Sequence, residues 1–200
     1  MTTDAPAGAP AGGAARRRLL ERVADHVLEH GASELSLSEL ARAVGSNNRM
    51  LLYHFGSKDR VLSEAALVAY GRFPHLEGAL RRLGEEGDDL RTRLLRAWAD
   101  IAHPDNGPFL AFFFQAFGVA LYRPERNAEL FARLGAEWAG PVRVVLEREG
   151  FDQDTALELA TGLVAAWRGL QFDLVSGTPR ELLDRAYARL VDAFPVPGRS

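Results

Sequence analysis

Between Ser36 and Lys58 the chain reads SLSELARAVGSNNRMLLYHFGSK, and this stretch constrains the fold more than any other. Ser36 stands three residues before Glu39, the spacing of a capping box. In that arrangement hydroxyl and carboxylate each take up a backbone N–H that a helix start leaves without a partner. Leu37, Leu40, Ala41 and Val44 then fall at i, i+3, i+4 and i+7, the period of a helix lying on a core. Gly45 follows at once and supplies the left-handed backbone that ends a helix and turns the chain. Asn47 is a competent N-cap for a second short helix, with Leu51 and Phe55 facing inward and Asn48, Arg49, Leu52 and Tyr53 facing outward. Small Ala41 lets the two helices cross closely. Two helices of about two turns joined at a glycine make a helix-turn-helix, whose second helix enters a major groove.

The outward residues carry the expected chemistry. Arginine grips O6 and N7 of guanine and asparagine N6 and N7 of adenine, each pair giving about 1–3 kcal/mol of discrimination. Asn48 and Arg49 are therefore the candidates for reading bases, with Leu52 placed for a thymine methyl. Asn47, Tyr53, His54 and Lys58 are assigned to phosphates, as is Ser38 near the start of the preceding helix. The alternative for His54 is a hydrogen bond at the helix end within the domain.

These residues resemble the DNA-binding domain of the TetR family of bacterial repressors, over roughly residues 16 to 65. In that family a small-residue helix of the type LxxLAxxxG, here Leu37, Leu40, Ala41 and Gly45, leads into a recognition helix. The latter ends here in Leu51, Tyr53, His54 and Phe55, followed by Ser57 and Lys58. Two positions depart from the pattern: Leu52 stands where a polar-tipped aromatic is commoner, and Ser46 where a valine or threonine packs under the turn. The resemblance implies an all-α fold, a three-helix DNA-binding domain followed by a helical bundle for ligand binding and dimerisation. It also implies a regulator that binds a palindromic operator on double-stranded DNA as a homodimer and is released by a small-molecule effector. Beyond residue 65 the likeness is one of length and helical character only.

Charge is distributed accordingly. Residues 16 to 60 hold eight Arg or Lys against six acids, so this segment carries +2 and the remainder −5 of a formal −3. The surplus favours nucleic-acid contact at the N-terminal end, the alternative being an ordinary solvated surface. Residues 1–15, rich in Ala, Gly, Pro and Thr, read as a flexible arm without the basic and apolar regions of a secretory signal. Arg16, Arg17 and Arg18 stand where a helix start meets a phosphate backbone or an arm reaches a minor groove. The absence of cysteine excludes disulfides and thiolate metal sites and fits a reducing cytoplasm. The apolar runs are too short or too interrupted to span a bilayer.

The domains expected are the arm at 1–15, the helix-turn-helix domain at 16–60 and a helical ligand-binding and dimerisation domain at 61–200. The second of these opens with a helix near Leu20 to His30, and the third continues as helices throughout, with Pro141 expected to kink or split the one from Asn127 to Glu149. Thr178, Pro179 and Glu181 have the spacing of a capping box for the last helix. The helix before it is apolar on more than one side, which suits a dimer interface of Ala160, Leu163, Trp167, Leu170 and Leu174 with Leu183, Tyr187 and Leu190 from the last helix. The alternative is the central helix of a monomeric bundle.

Aromatic residues crowd the C-terminal region. Trp98, Phe113, Phe117, Trp138 and Trp167 are expected as walls of an apolar slot, with His103, Arg143, Arg168 and Gln171 as polar anchors for an apolar or aromatic effector. Enzyme chemistry has little support, since no phosphate loop, nucleophile elbow or catalytic cysteine is present. Of the five histidines only His26 and His30 have a metal-like spacing, and no matching carboxylate triad or HExxH pattern accompanies them, so neither metal nor cofactor is expected. The competing class is a helical binding or interaction module without specific DNA binding.

Overall fold

The structure is a computed structural model that describes residues 11–31, 35–122, 125 and 128–195, with the side chains of 11, 12, 119 and 128–136 left out. The described residues form ten α-helices and no strand, and the chain divides into two compact units, Met1–Ala69 and Tyr70–Ser200. The arm at residues 1–10 lies outside the described residues. Helix α1 runs from Ala11 to His30, so helix replaces the expected arm from Ala11 onward. Its Ala-rich first turns extend the amphipathic stretch without a breaker strong enough to stop it.

In the first unit α1 is followed by α2 (Leu37–Ala43), α3 (Asn48–Phe55) and α4 (Lys58–Tyr70). Leu20, Val23, Ala24 and Val27 of α1 are buried with Leu40, Ala41 and Val44 around α2 and Leu51 and Phe55 of α3. Val61, Ala65 and Ala69 of α4 are buried as well, which carries this unit on past residue 60. Arg16 ties the unit together from α1. Its guanidinium pairs with Glu64, lies 4.7 Å from the centre of the Phe55 ring, and donates from Nε to the His54 carbonyl at 3.3 Å. It is thus a structural residue, and only Arg17 and Arg18 of the three arginines are exposed.

The second unit holds α5 (Pro74–Leu83), α6 (Leu90–Ile101), a 3-10 turn (Pro104–Asn106), α7 (Gly107–Leu121), α8 (Ala128–Arg148), α9 (Gln153–Val175) and α10 (Arg180–Asp192). Helices α8 and α9 pack along each other, as do α5 and α6, while α10 lies on α6 and α7 on α9. Leu76, Leu83, Leu94, Ile101, Leu110, Leu146, Trp167 and Tyr187 are fully buried at its centre. Buried Arg93 pairs with Glu149 and donates to the Leu83 carbonyl at 3.2 Å, joining α6 to the ends of α8 and α5. Asn106, also buried, donates its amide to the carbonyls of Asp100 and Ile101 at 2.8 and 2.9 Å and so satisfies the end of α6.

Helix α8 runs through Pro141 without splitting. One local expectation changes. The last helix does not use Thr178 as its N-cap: Pro179 takes that position, and the Thr178 backbone belongs to the end of α9. Gly177, with φ of +96°, donates to the Leu174 carbonyl at 3.2 Å, and the Thr178 N–H to that of Asp173 at 3.0 Å, a Schellman closure. Pro179 caps α10 by position only, with no side-chain hydrogen bond.

Candidate functional site

The helix-turn-helix is built from its caps. The Glu39 N–H donates to Ser36 Oγ at 3.2 Å and the Ser36 N–H to Glu39 Oε2 at 2.7 Å, so the capping box is complete. Those hydrogen bonds hold the Glu39 carboxyl below its ordinary range. At the other end of α2 the Ser46 N–H reaches the Ala41 carbonyl at 2.7 Å and the Gly45 N–H that of Arg42 at 3.1 Å. Gly45 has φ of +62°, a conformation that a β-carbon would strain. Asn47 Oδ1 then accepts from the Met50 N–H at 3.0 Å and starts α3. The turn is closed by backbone hydrogen bonds at both sides, which fixes the direction in which α3 points.

Leu51 and Phe55 anchor α3 in the core and leave Asn47, Asn48, Arg49, Met50, Leu52 and Tyr53 exposed on its outer face. Tyr53 is 79% exposed, a high value for a tyrosine in a folded domain. Asn48 Nδ2 donates to Ser38 Oγ at 2.7 Å, so two of the expected contact residues are joined and the amide is held with its carbonyl still available. His54 is half-buried and lies edge-on to Tyr53 and Phe55, with ring centres 5.0 and 6.0 Å away. Lys58 is half-buried and donates to the Leu35 carbonyl. Part of its hydrogen-bonding capacity therefore serves the fold, because the chain before α2 ends beside the first turn of α4. Met50, exposed beside Arg49, was not singled out from the sequence, where an apolar residue in a helix reads as core.

A sequence model described as bacterial regulatory proteins, tetR family, matches residues 23–65, the segment that holds this capped turn and the outer face of α3. This N-terminal segment is that of the tetR family's DNA-binding model. A comparison with curated proteins finds no match. Among solved structures, a transcriptional regulator from Rhodococcus sp. Rha1 superposes with a TM-score of 0.68 at 22% identity, covering 88% of this chain and 94% of that one. The multidrug binding protein EbrR, complexed with imidazole, gives 0.65 at 24% identity over 92% and 96%. GusR of Salmonella enterica gives 0.66 at 17% identity over 88% and 92%. These likenesses show that the helical fold of such regulators is shared over most of this chain.

In the second unit the expected effector residues separate into groups. Trp167 is fully buried, meets Trp138 edge-on at 6.1 Å between ring centres, and lies with Tyr187, which in turn packs on Trp98 at 5.6 Å. Trp98 is also buried and donates to Asp184 Oδ1 at 2.7 Å, joining α6 to α10. Trp98 and Trp167 are thus packing residues that present no free surface. Phe113 and Phe117 are half-buried on α7, where Phe109, Phe113 and Phe117 stack along one face at 6.1 and 5.8 Å. Arg143 pairs with Glu147 one turn on, and Gln171 is buried. Burial lowers the pKa of the half-buried Arg168 guanidinium. His103 caps the 3-10 turn and stacks on His75.

The expected dimer residues also divide. Ala160, Leu163, Trp167, Leu183 and Tyr187 are buried against the chain's own helices and are unavailable to a second copy. Leu170 and Leu174 are half-buried, and Leu190 is 51% exposed. The apolar side chains that α9 and α10 leave in water are Leu157, Phe172, Val175, Leu182 and Leu190. No described helix is long and apolar enough to cross a membrane.

Proposed function

We propose that this protein is a ligand-responsive tetR-family repressor that binds a palindromic operator as a homodimer. The observation that carries it is the outer face of α3, where Asn48, Arg49, Leu52 and Tyr53 stand exposed on a helix whose start and preceding turn are fixed by hydrogen bonds. Asn48 and Arg49 read bases and Leu52 meets a thymine methyl. Tyr53, His54, Asn47, Ser38 and the remaining donors of Lys58 hold phosphates. A single α3 makes few base contacts, so two half-sites are needed. The exposed Leu157, Phe172, Leu182 and Leu190, rather than the buried residues beneath them, supply the apolar surface for a second copy.

A small molecule received among Phe113, Phe117 and Trp138 shifts the spacing of the two α3 helices to the extent that it binds one conformer better than the other. That EbrR, a structural neighbour, is a multidrug binding protein supports an apolar or aromatic effector. The test is selection of random duplex DNA by the purified protein at near-physiological salt, read by sequencing. Enrichment of a palindrome with half-sites about one helical turn apart is expected. Binding without sequence preference, or none, favours a helical binding module instead.

A further inference from the structure

Two histidines 28 positions apart, on different elements of the second unit, are stacked face to face. The rings of His75 and His103 lie 3.6 Å apart at 13° to one another, and Asp105 completes a group whose ligand atoms all fall within 4.8 Å. His75 is the second residue of α5, and His103 and Asp105 belong to the corner between α6 and α7. The side chains of His75 and His103 are 38% and 35% exposed and that of Asp105 75%, so the group is open to solvent on one side.

We propose that His75, His103 and Asp105 bind a divalent transition-metal ion of the zinc class, with a fourth position left for water. Two imidazoles and one carboxylate form a mixed nitrogen and oxygen donor set that suits such an ion and not magnesium or calcium, which take oxygen. Metal-to-nitrogen bonds of about 2.0–2.1 Å in a tetrahedral site place ligand atoms about 3.3 Å apart. The ligand atoms, all within 4.8 Å, are therefore near that spacing, and the two rings have to swing out of their stack to aim both in-plane lone pairs at one ion.

Its electrostatics point the same way. His103 Nδ1 lies 3.3 Å from the Asp105 nitrogen, whose N–H it accepts, and 3.5 Å from Asp105 Oδ2. Its one lone pair serves either that N–H or an ion, so an ion bound through this nitrogen takes the place of the Asp105 N–H and sits beside the Asp105 carboxylate. Asp100 Oδ1 lies 3.6 Å from His75 Nδ1 and is placed to orient that ring. Two positive charges border the site: Arg82 is matched by Asp100 at 2.6 Å while it donates to the His75 carbonyl at 2.8 Å, and Arg180, which donates to the Ala102 carbonyl at 2.6 Å, is matched by Asp184 at 3.5 Å. An ion bound here fastens the start of α5 to the corner between α6 and α7, independently of any DNA contact.

The test is titration of the full chain, stripped of metal and of any histidine tag, with Co²⁺, followed by visible absorption and by displacement with Zn²⁺. One equivalent with the absorption band of a nitrogen- and oxygen-bound tetrahedral site is expected, together with a rise in the Tm on adding Zn²⁺. His75→Gln and His103→Gln each weaken binding by at least about tenfold. His75→Gln leaves the cap of the 3-10 turn intact and so separates loss of a ligand from loss of structure, and His30→Gln leaves the titration unchanged. Absence of saturable binding, equal displacement by Mg²⁺, or binding unaltered in His75→Gln and lost in His30→Gln would each overturn the proposal.

Discussion

Arg49 and Lys58 are cations of the same domain in different surroundings. Arg49 is exposed in the first turn of α3, whereas Lys58 is half-buried and bonded to the Leu35 carbonyl. Arg49→Ala is therefore expected to relax preference at one base position by about 1–3 kcal/mol, measured by competition between operator variants, with the Tm unchanged. Lys58→Ala should weaken all sequences alike and also lower the Tm. Equal loss of base preference in both variants would refute this division. Two tyrosines, Tyr187 buried and Tyr70 half-buried, set a limit at alkaline pH. Burial, assisted by Glu77 and Glu137, pushes the Tyr70 hydroxyl up to about 12, and burial raises that of Tyr187 too. The folded pKa is raised, so stability is full below the ordinary value of 10.0 and is lost as pH rises toward and through the folded one. Urea midpoints should thus hold steady to about pH 10 and fall beyond it; a flat profile from pH 9 to 12 would contradict the burial argument.

Helix ends decide the geometry of the elements, and carboxylates and hydroxyls carry much of that task. The Ser36 hydroxyl holds the start of α2, and Ser36→Ala should cost about 1 kcal/mol, read as a lower unfolding midpoint. Binding to the operator should fall less, since the Gly45 closure and the Asn47 cap of α3 remain. Asp89 and Asp152 cap α6 and α9 through Thr92 and Thr155, and with Glu39 their carboxyls are held below the ordinary range by those hydrogen bonds. A depressed folded pKa contributes stability that is present above the unfolded value and lost as pH falls through the folded one. Acid destabilisation should accordingly set in below about pH 4, and Asp152→Asn, which keeps the cap but not the charge, should reduce its steepness.

For the whole molecule the exposed apolar face of α9 and α10 is the testable feature. Phe172→Glu combined with Leu190→Glu is expected to leave the helical circular dichroism unchanged, to give a monomer by sedimentation, and to abolish operator binding. A dimer that persists would move the interface elsewhere. The sequence by itself determined the helix-turn-helix, because a capping box, a glycine turn and the Asn47 cap act over fewer than five residues and need no partner from afar. It likewise determined that α3 turns Leu51 and Phe55 inward and Asn48, Arg49, Leu52 and Tyr53 outward, which follows from helical period alone. Arg16 as a tie within the first unit and Thr178 as the closure of α9 were decided by neighbours that periodicity does not reveal. In α9 and α10 the sequence marks apolar residues on several sides, but burial is a property of packed neighbours. Only the tertiary structure decided that Trp167 and Tyr187 fill the core while Phe172 and Leu190 meet water, and that His75 and His103, far apart along the chain, lie ring on ring.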